Sequence, residues 1–169
     1  GLDVLLEAMA RCTERLVIVG DGPEDANLRA QCARLGLGDR VHFAGAVSDD
    51  ELCAYLRAAA VGVLPSTHPS EALGLAMIEY LASGLPVVCT ELGTGTTFVK
   101  LDGVTGLVVP PRDPQALAAA LTRLMGDAAL RERLGAAGRQ RAHAVFSRQA
   151  MMTALDAVYA EVLAAGSRA

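Results

Sequence analysis

Glu71 and Glu79, eight positions apart, are the two side chains in this sequence best placed to do chemistry together. They lie in a stretch from Pro65 to Thr90 that reads as strand end, polar loop, apolar helix, sharp stop and next strand. Gly74 to Ala82 is apolar almost all round, which predicts an interior helix. Gly84 and then Pro86 supply its stop. A carboxylate inside such a helix is costly when unpaired, so Glu79 is expected to hold a partner or a ligand. The separation corresponds to about two helical turns at ~3.6 residues each, which suits the two polar ends of one elongated ligand. A carboxylate binds neighbouring hydroxyls through short charge-assisted hydrogen bonds, and the amides of a helix start hold a phosphate. Glu71, the N–H groups near Gly74 and Leu75, and then Glu79 give hydroxyl, phosphate and hydroxyl recognition in that order. A nucleotide sugar has the same order.

Each of these residues has a plainer alternative. Glu71 can cap the helix start and complement its dipole, and Glu79 can pair with a core cation. His68 lies beside the site, where it either touches sugar or phosphate or is satisfied by backbone. Ser66 and Ser70 can bond their own turns. His42 and His143 read as structural or exposed.

The elements that position these residues alternate between strand and helix. Leu2, Leu5, Leu6 and Met9 recur at helical spacing with no start signal, which suggests that the sequence begins mid-domain. Arg15–Gly20 is a continuous apolar run, as in a parallel sheet covered on both faces. It leads into Gly20-Asp21-Gly22-Pro23, either a structural tight turn or a weak phosphate-binding signal, because position 25 is Asp rather than a third glycine. A helix closed by Gly36 and a strand Val41–Ala44 ending at Gly45 follow. Ser48 and Glu51 then form a capping-box signature, with Val47 and Leu52 as a staple. Strands at Val61–Leu64, Val87–Cys89 and Leu107–Val109 complete the set, with the Gly93–Thr97 loop after the fourth and the Asp102–Gly106 turn before the last. The remainder is helical, with Asp113-Pro114 and Ser147 as start signals. Met151, Leu155, Val158, Tyr159 and Val162 make an apolar face on the last helix.

This order predicts an α/β domain with a Rossmann-like parallel sheet flanked by helices. Ligands of such sheets bind beyond the carboxyl ends of the strands. The Gly20 turn, Gly45, the Pro65–Gly74 loop and the Gly93 loop all fall there.

The totals agree. The 169 residues suit one domain spanning 1–169. A net charge of −4 argues against nucleic acid as a partner, and 4% aromatic content leaves few stacking platforms for bases. No apolar run reaches the ~20 residues of a membrane span, and no signal peptide is recognisable. Cys12, Cys32, Cys53 and Cys89 lack metal-site spacing and read as buried free thiols of a cytoplasmic protein.

The chain also resembles the C-terminal, donor-binding half of the retaining GT-B glycosyltransferases, the group 1 family that includes sucrose and glycogen synthases. The resemblance runs through Val19–Pro23, Val41–Gly45, Pro65-Ser66, Glu71 with Glu79, Ala82–Val88, Asp102–Gly106 and Val109–Pro111. It implies that Glu71 contacts donor-sugar hydroxyls and is the catalytic residue, that Glu79 binds ribose, and that amides near Gly74 and Leu75 hold the diphosphate. It places Gly93 and Thr94 close to the donor, and the segment around Gly45 and Val47 beside the base. It implies no metal and no cofactor. The resemblance further implies that the donor, GDP-mannose or a UDP-sugar, is the substrate and that a hexosyl unit moves to a glycan or lipid-linked acceptor. The Glu91–Thr96 wording looks like bacterial polysaccharide mannosyltransferases. Glu71-Ala72-Leu73-Gly74 stands where the family has Glu-Gly-Phe-Gly, and Gly93-Thr94 where it has two glycines, which leaves sugar choice open. The acceptor domain, a first strand and the phosphate-neutralising Arg and Lys are expected upstream of Gly1. Any peripheral association with the inner membrane would belong to that missing half. The rival readings are a non-catalytic nucleotide-binding scaffold or regulator, and part of a GT-B nucleotide-sugar epimerase.

Overall fold

The computed structural model describes residues 1–166; positions 167–169 of the expected domain lie outside them. In chain order the elements are α1 (Leu2–Met9), β1 (Leu16–Val19), α2 (Asp25–Arg34), β2 (Val41–Gly45), α3 (Asp49–Ala58), β3 (Gly62–Leu64), α4 (Leu75–Ala82), β4 (Val87–Thr90), α5 (Thr96–Val99), β5 (Gly106–Val109), α6 (Pro114–Gly126), α7 (Ala128–Val145) and α8 (Arg148–Gly166).

Every ladder is parallel, as the strand–helix alternation requires. One feature departs from expectation. The strands form two sheets, β1-β2 and β3-β4-β5, rather than one. Among the described residues no ladder joins β1 to β3, and Gly1 abuts the Pro65 carbonyl at the end of β3. Helices nevertheless unite the halves. Leu5, Leu6 and Met9 of α1 share one hydrophobic cluster with Ile18, Val41, Val88 and Val109 of both sheets and with Leu117, Leu121 and Leu124 of α6. The fourth strand is buried along its whole length, in keeping with its central place between β3 and β5.

The start signals act as read. Ser48 and Glu51 make the reciprocal capping box, Asp113 Oδ1 accepts from Ala116 N at 2.8 Å ahead of Pro114, and Ser147 Oγ accepts from Ala150 N at 3.2 Å. Arginines finish several other ends. Arg40 donates to the carbonyls of Met9, Cys12 and Glu14 behind α1, and Arg131 to those of Leu124 and Met125 at the end of α6.

Phe146 stacks edge-on against Phe98. Two packing expectations are corrected. The last helix exposes Met151, Leu155, Val158, Tyr159 and Val162 instead of burying them. Cys53 is exposed, while Cys12, Cys32 and Cys89 are buried and all four are free.

Arg112 is the sole described non-glycine residue with positive φ, at 59°. An L side chain there costs about 1–2 kcal/mol, and glycine gives back roughly 0.5–1 kcal/mol of that as chain entropy. Arg112→Gly is therefore expected to raise the unfolding midpoint slightly in a denaturant titration. A lower midpoint would contradict this account of the turn.

Candidate functional site

The site is assembled at the carboxyl ends of β3 and β4. The loop after β3 carries Ser66, His68 and Glu71; the loop after β4 carries Glu91, Gly93 and Thr94. Glu71 is half-buried. Its Oε2 accepts from Ser66 Oγ at 3.1 Å, and its own N–H donates to His68 O at 3.2 Å. The second loop is locked onto the first. Thr94 Oγ1 donates to Glu71 O at 2.8 Å, and a Cβ on Gly95 would stand 2.4 Å from Ala72 O. Thr90 Oγ1 ties the base of β4 to Ser66 O.

Helix α4 enters this corner with its N-terminus open. Gly74 caps it in the left-handed conformation, φ 77° and ψ 64°, with no side-chain cap. That backbone, together with a virtual Cβ 2.8 Å from Met77 Cε and 2.9 Å from Leu64 Cδ2, requires glycine. Glu71 does not cap the helix. No described acceptor takes the N–H of Leu75 or Ala76, so two donors and the positive end of the helix dipole are unsatisfied there.

Glu79 is placed differently from expectation. It is exposed rather than enclosed by an apolar helix. Met77 and Leu81 face the core, whereas Leu75, 69% exposed, lies four residues from Glu79 on the open side. The reason is that α4 packs on one side only, against α7 and β3. Burial therefore does not force a partner on Glu79. Glu71 precedes the helix and sits in the loop, so only part of the eight-residue separation is helical.

Helix α5 has four residues. No described acceptor takes the N–H of Thr94, Gly95 or Thr96, but the other amides around its start are bonded. Thr97 N donates to Thr94 O, Phe98 N to Gly95 O, and Gly93 N to Glu91 Oε1 at 3.0 Å. Those amides are not free for an anion. His68 is exposed and occupied within its own turn, with Nδ1 accepting from Ser70 N at 3.1 Å. Gly45 accepts from Gly20 N at 2.8 Å, which gives the Gly20 turn a structural role. Gly45 and half-buried Val47 thus belong to the β1-β2 half, and no described hydrogen bond links them to the Glu71 loop.

Sequence reasoning missed Lys100. It is 6% exposed and donates from Nζ to Thr90 O at 2.8 Å while pairing with Glu91 Oε2 at 3.1 Å. The available signal was its singularity, since it is the sole lysine of the sequence. The Gly93 N–H, and then Lys100, hold the Glu91 carboxyl below its ordinary range. Glu91 therefore stays ionised near neutrality. Its share of stability is present above the ordinary carboxylate range and is lost as pH falls through the depressed value.

Elsewhere, an open groove of about 370 Å³ runs beside β5 between Asp102, Arg123 and Arg133. Among the described residues, no three His, Cys, Asp or Glu side chains converge, and no helix is long and apolar enough to cross a membrane.

Residues 1–141 match the family model described as glycosyl transferases group 1. The chain belongs to that family. Its likeness to the O-antigen chain mannosyltransferase C of Escherichia coli is 34% identity over 163 residues, 96% of this chain and 44% of that protein. Sucrose-phosphate synthase from Thermosynechococcus elongatus superposes with a TM-score of 0.86 at 36% identity, covering 98% of this chain and 43% of that one. Anabaena HepE in complex with UDP-glucose gives 0.83 at 27% identity, covering 98% and 45%. This group 1 domain therefore has the GT-B type of α/β fold and spans less than half the length of these three proteins.

Proposed function

We propose that this group 1 domain binds the nucleotide-sugar donor of a retaining, metal-independent glycosyltransferase. The enzyme moves a hexosyl unit to a glycan or lipid-linked acceptor. The observation that carries this is the open start of α4, with the free Leu75 and Ala76 N–H groups flanked by Glu71 before it and Glu79 beyond it. The diphosphate lies at the amides, where the helix dipole and unpaired donors neutralise it. The sugar lies toward Glu71 and Thr94. The ribose lies along the exposed side of α4, where Glu79 accepts from its hydroxyls. Gly45 and Val47 border the base, and His68, Gly93 and Thr94 line the sugar end. HepE, whose fold this domain shares, has been crystallised with UDP-glucose; the relative named a mannosyltransferase supports a mannose donor, for which we propose GDP-mannose.

In the reaction the bond from the anomeric carbon to the leaving phosphate breaks, and a bond from that carbon to the acceptor oxygen forms on the same face. The acceptor's proton passes to the leaving phosphate oxygen, so no protein nucleophile is used. Glu71 acts by orienting the sugar, and the α4 amides by stabilising the charge on the departing diphosphate. The remaining phosphate-neutralising cations and the acceptor site are assigned to an upstream domain, and the enzyme to the cytoplasm.

Titration of the natural full-length protein with GDP-mannose, UDP-glucose and ADP-glucose tests this. Measurable affinity for one of them is expected, and none for any would contradict the function. Glu79→Ala is expected to weaken binding about tenfold or more, the scale of a hydrogen bond to a charged group. It should also erase the preference for a ribonucleotide over its 2′,3′-dideoxy form. An unchanged affinity would remove Glu79 from the ribose site.

A further inference from the structure

We propose that Glu91 and Lys100 form a positioning pair that fixes Glu71 and the 93–97 turn at the sugar end of the cleft. This rests on the donor reading above and adds two residues to it.

Lys100 lies behind the cleft, and two chains of contacts lead from it to Glu71. Along the first, Lys100 Nζ donates to Thr90 O, Thr90 Oγ1 donates to Ser66 O, and Ser66 Oγ donates to the Glu71 carboxylate. Along the second, Lys100 pairs with Glu91. Glu91 Oε1 then gathers the Gly93 N–H at 3.0 Å and the Thr97 hydroxyl at 3.3 Å, and Thr94 within that turn bonds Glu71 O. One buried ammonium thus braces both the side chain and the backbone of Glu71.

The chemistry of the pair is suited to that task. An ammonium this deeply buried is costly unless paired and hydrogen-bonded, so a purely structural position would more cheaply hold an apolar side chain. Lysine offers a compact head with three donors, which fits a carbonyl and a carboxylate at once. Every other cationic residue of the sequence is arginine. Glu91 is 52% exposed, so it contributes little to the core. Its side-chain contacts are with the turn, at Gly93 and Thr97, and with Lys100.

The test uses Glu91→Gln and Lys100→Met in the natural full-length protein. Affinities are compared for GDP against GDP-mannose and for UDP against UDP-glucose. The sugar-dependent gain in affinity is expected to fall about tenfold, with affinity for the bare diphosphate held within about twofold. Hydrogen exchange at residues 93–97 should quicken, while Leu117–Leu124 of α6 stays protected. If Lys100→Met does not fold, the exposed Glu91→Gln decides. Equal weakening of diphosphate and sugar nucleotide would reduce the pair to a structural role and overturn the claim, as would unchanged ratios. If the unmodified protein binds neither sugar nucleotide, the donor reading itself falls and takes this claim with it.

Discussion

Glu71→Gln in the full-length enzyme is expected to lower kcat/KM by roughly 100-fold, the scale of losing two charge-assisted hydrogen bonds to sugar hydroxyls. Affinity for the bare nucleoside diphosphate should hardly change, because Glu71 stands on the loop before α4 and away from the ribose side. The variant keeps the shape of the residue and can still accept from Ser66 Oγ, which is 3.1 Å from the carboxylate. Loss of stability therefore does not account for the expected effect. Steady-state kinetics beside a diphosphate titration separate the two quantities. A loss carried entirely by diphosphate affinity would place Glu71 at the phosphates instead of the sugar.

The second large effect is expected at Gly95. A methyl group there would meet the Ala72 carbonyl oxygen at 2.4 Å, and the obstacle is backbone, not a side chain that can swing away. Gly95→Ala must push the 93–97 turn off the Glu71 loop and strain the Thr94 hydroxyl bond that joins them. Overpacking of this kind costs about 1–3 kcal/mol. The strain falls on the cleft, so sugar-nucleotide affinity should drop at least about tenfold. Gly135→Ala is the matched control. Its Cβ would lie 2.1 Å from Gly84 O, where α7 crosses the end of α4. It is expected to lower the unfolding midpoint without changing the ratio of sugar-nucleotide to diphosphate affinity in the folded fraction. Equal ratios in both variants would deny the two-loop construction of the site.

Much of this architecture is legible in the sequence because it follows from local chemistry. Ser48 with Glu51, Asp113 with Pro114, and Ser147 announce helix starts through their own hydrogen bonds. The continuous apolar run of Val87–Cys89 announces a strand covered on both faces. The convergence of loops on one sheet edge then follows from parallel topology.

What stayed hidden depends on partners distant in sequence. The stretch Leu75–Ala82 looks apolar all round, yet α4 packs on one side only, and composition does not say which side is bare. Glu79 therefore reads as buried and stands exposed. The last helix has an apolar stripe, but a stripe does not report whether anything covers it. The division between β1 and β3 is likewise invisible, since both strands carry strand-like patterns and neither encodes its neighbour. Lys100 escaped notice because Val99-Lys100-Leu101 has no period. Its meaning comes from Thr90 and Glu91, on the strand and loop it reaches across.

The central claim is that a sugar nucleotide lies across the open start of α4. Backbone amide shifts recorded while GDP-mannose and UDP-glucose are titrated into the labelled protein test it most directly. The largest changes are expected at Gly74–Ala76, with smaller ones at Glu71 and Thr94 and along the exposed side of α4 to Glu79. Changes concentrated instead in the groove of Asp102, Arg123 and Arg133, or no changes with either compound, would contradict it.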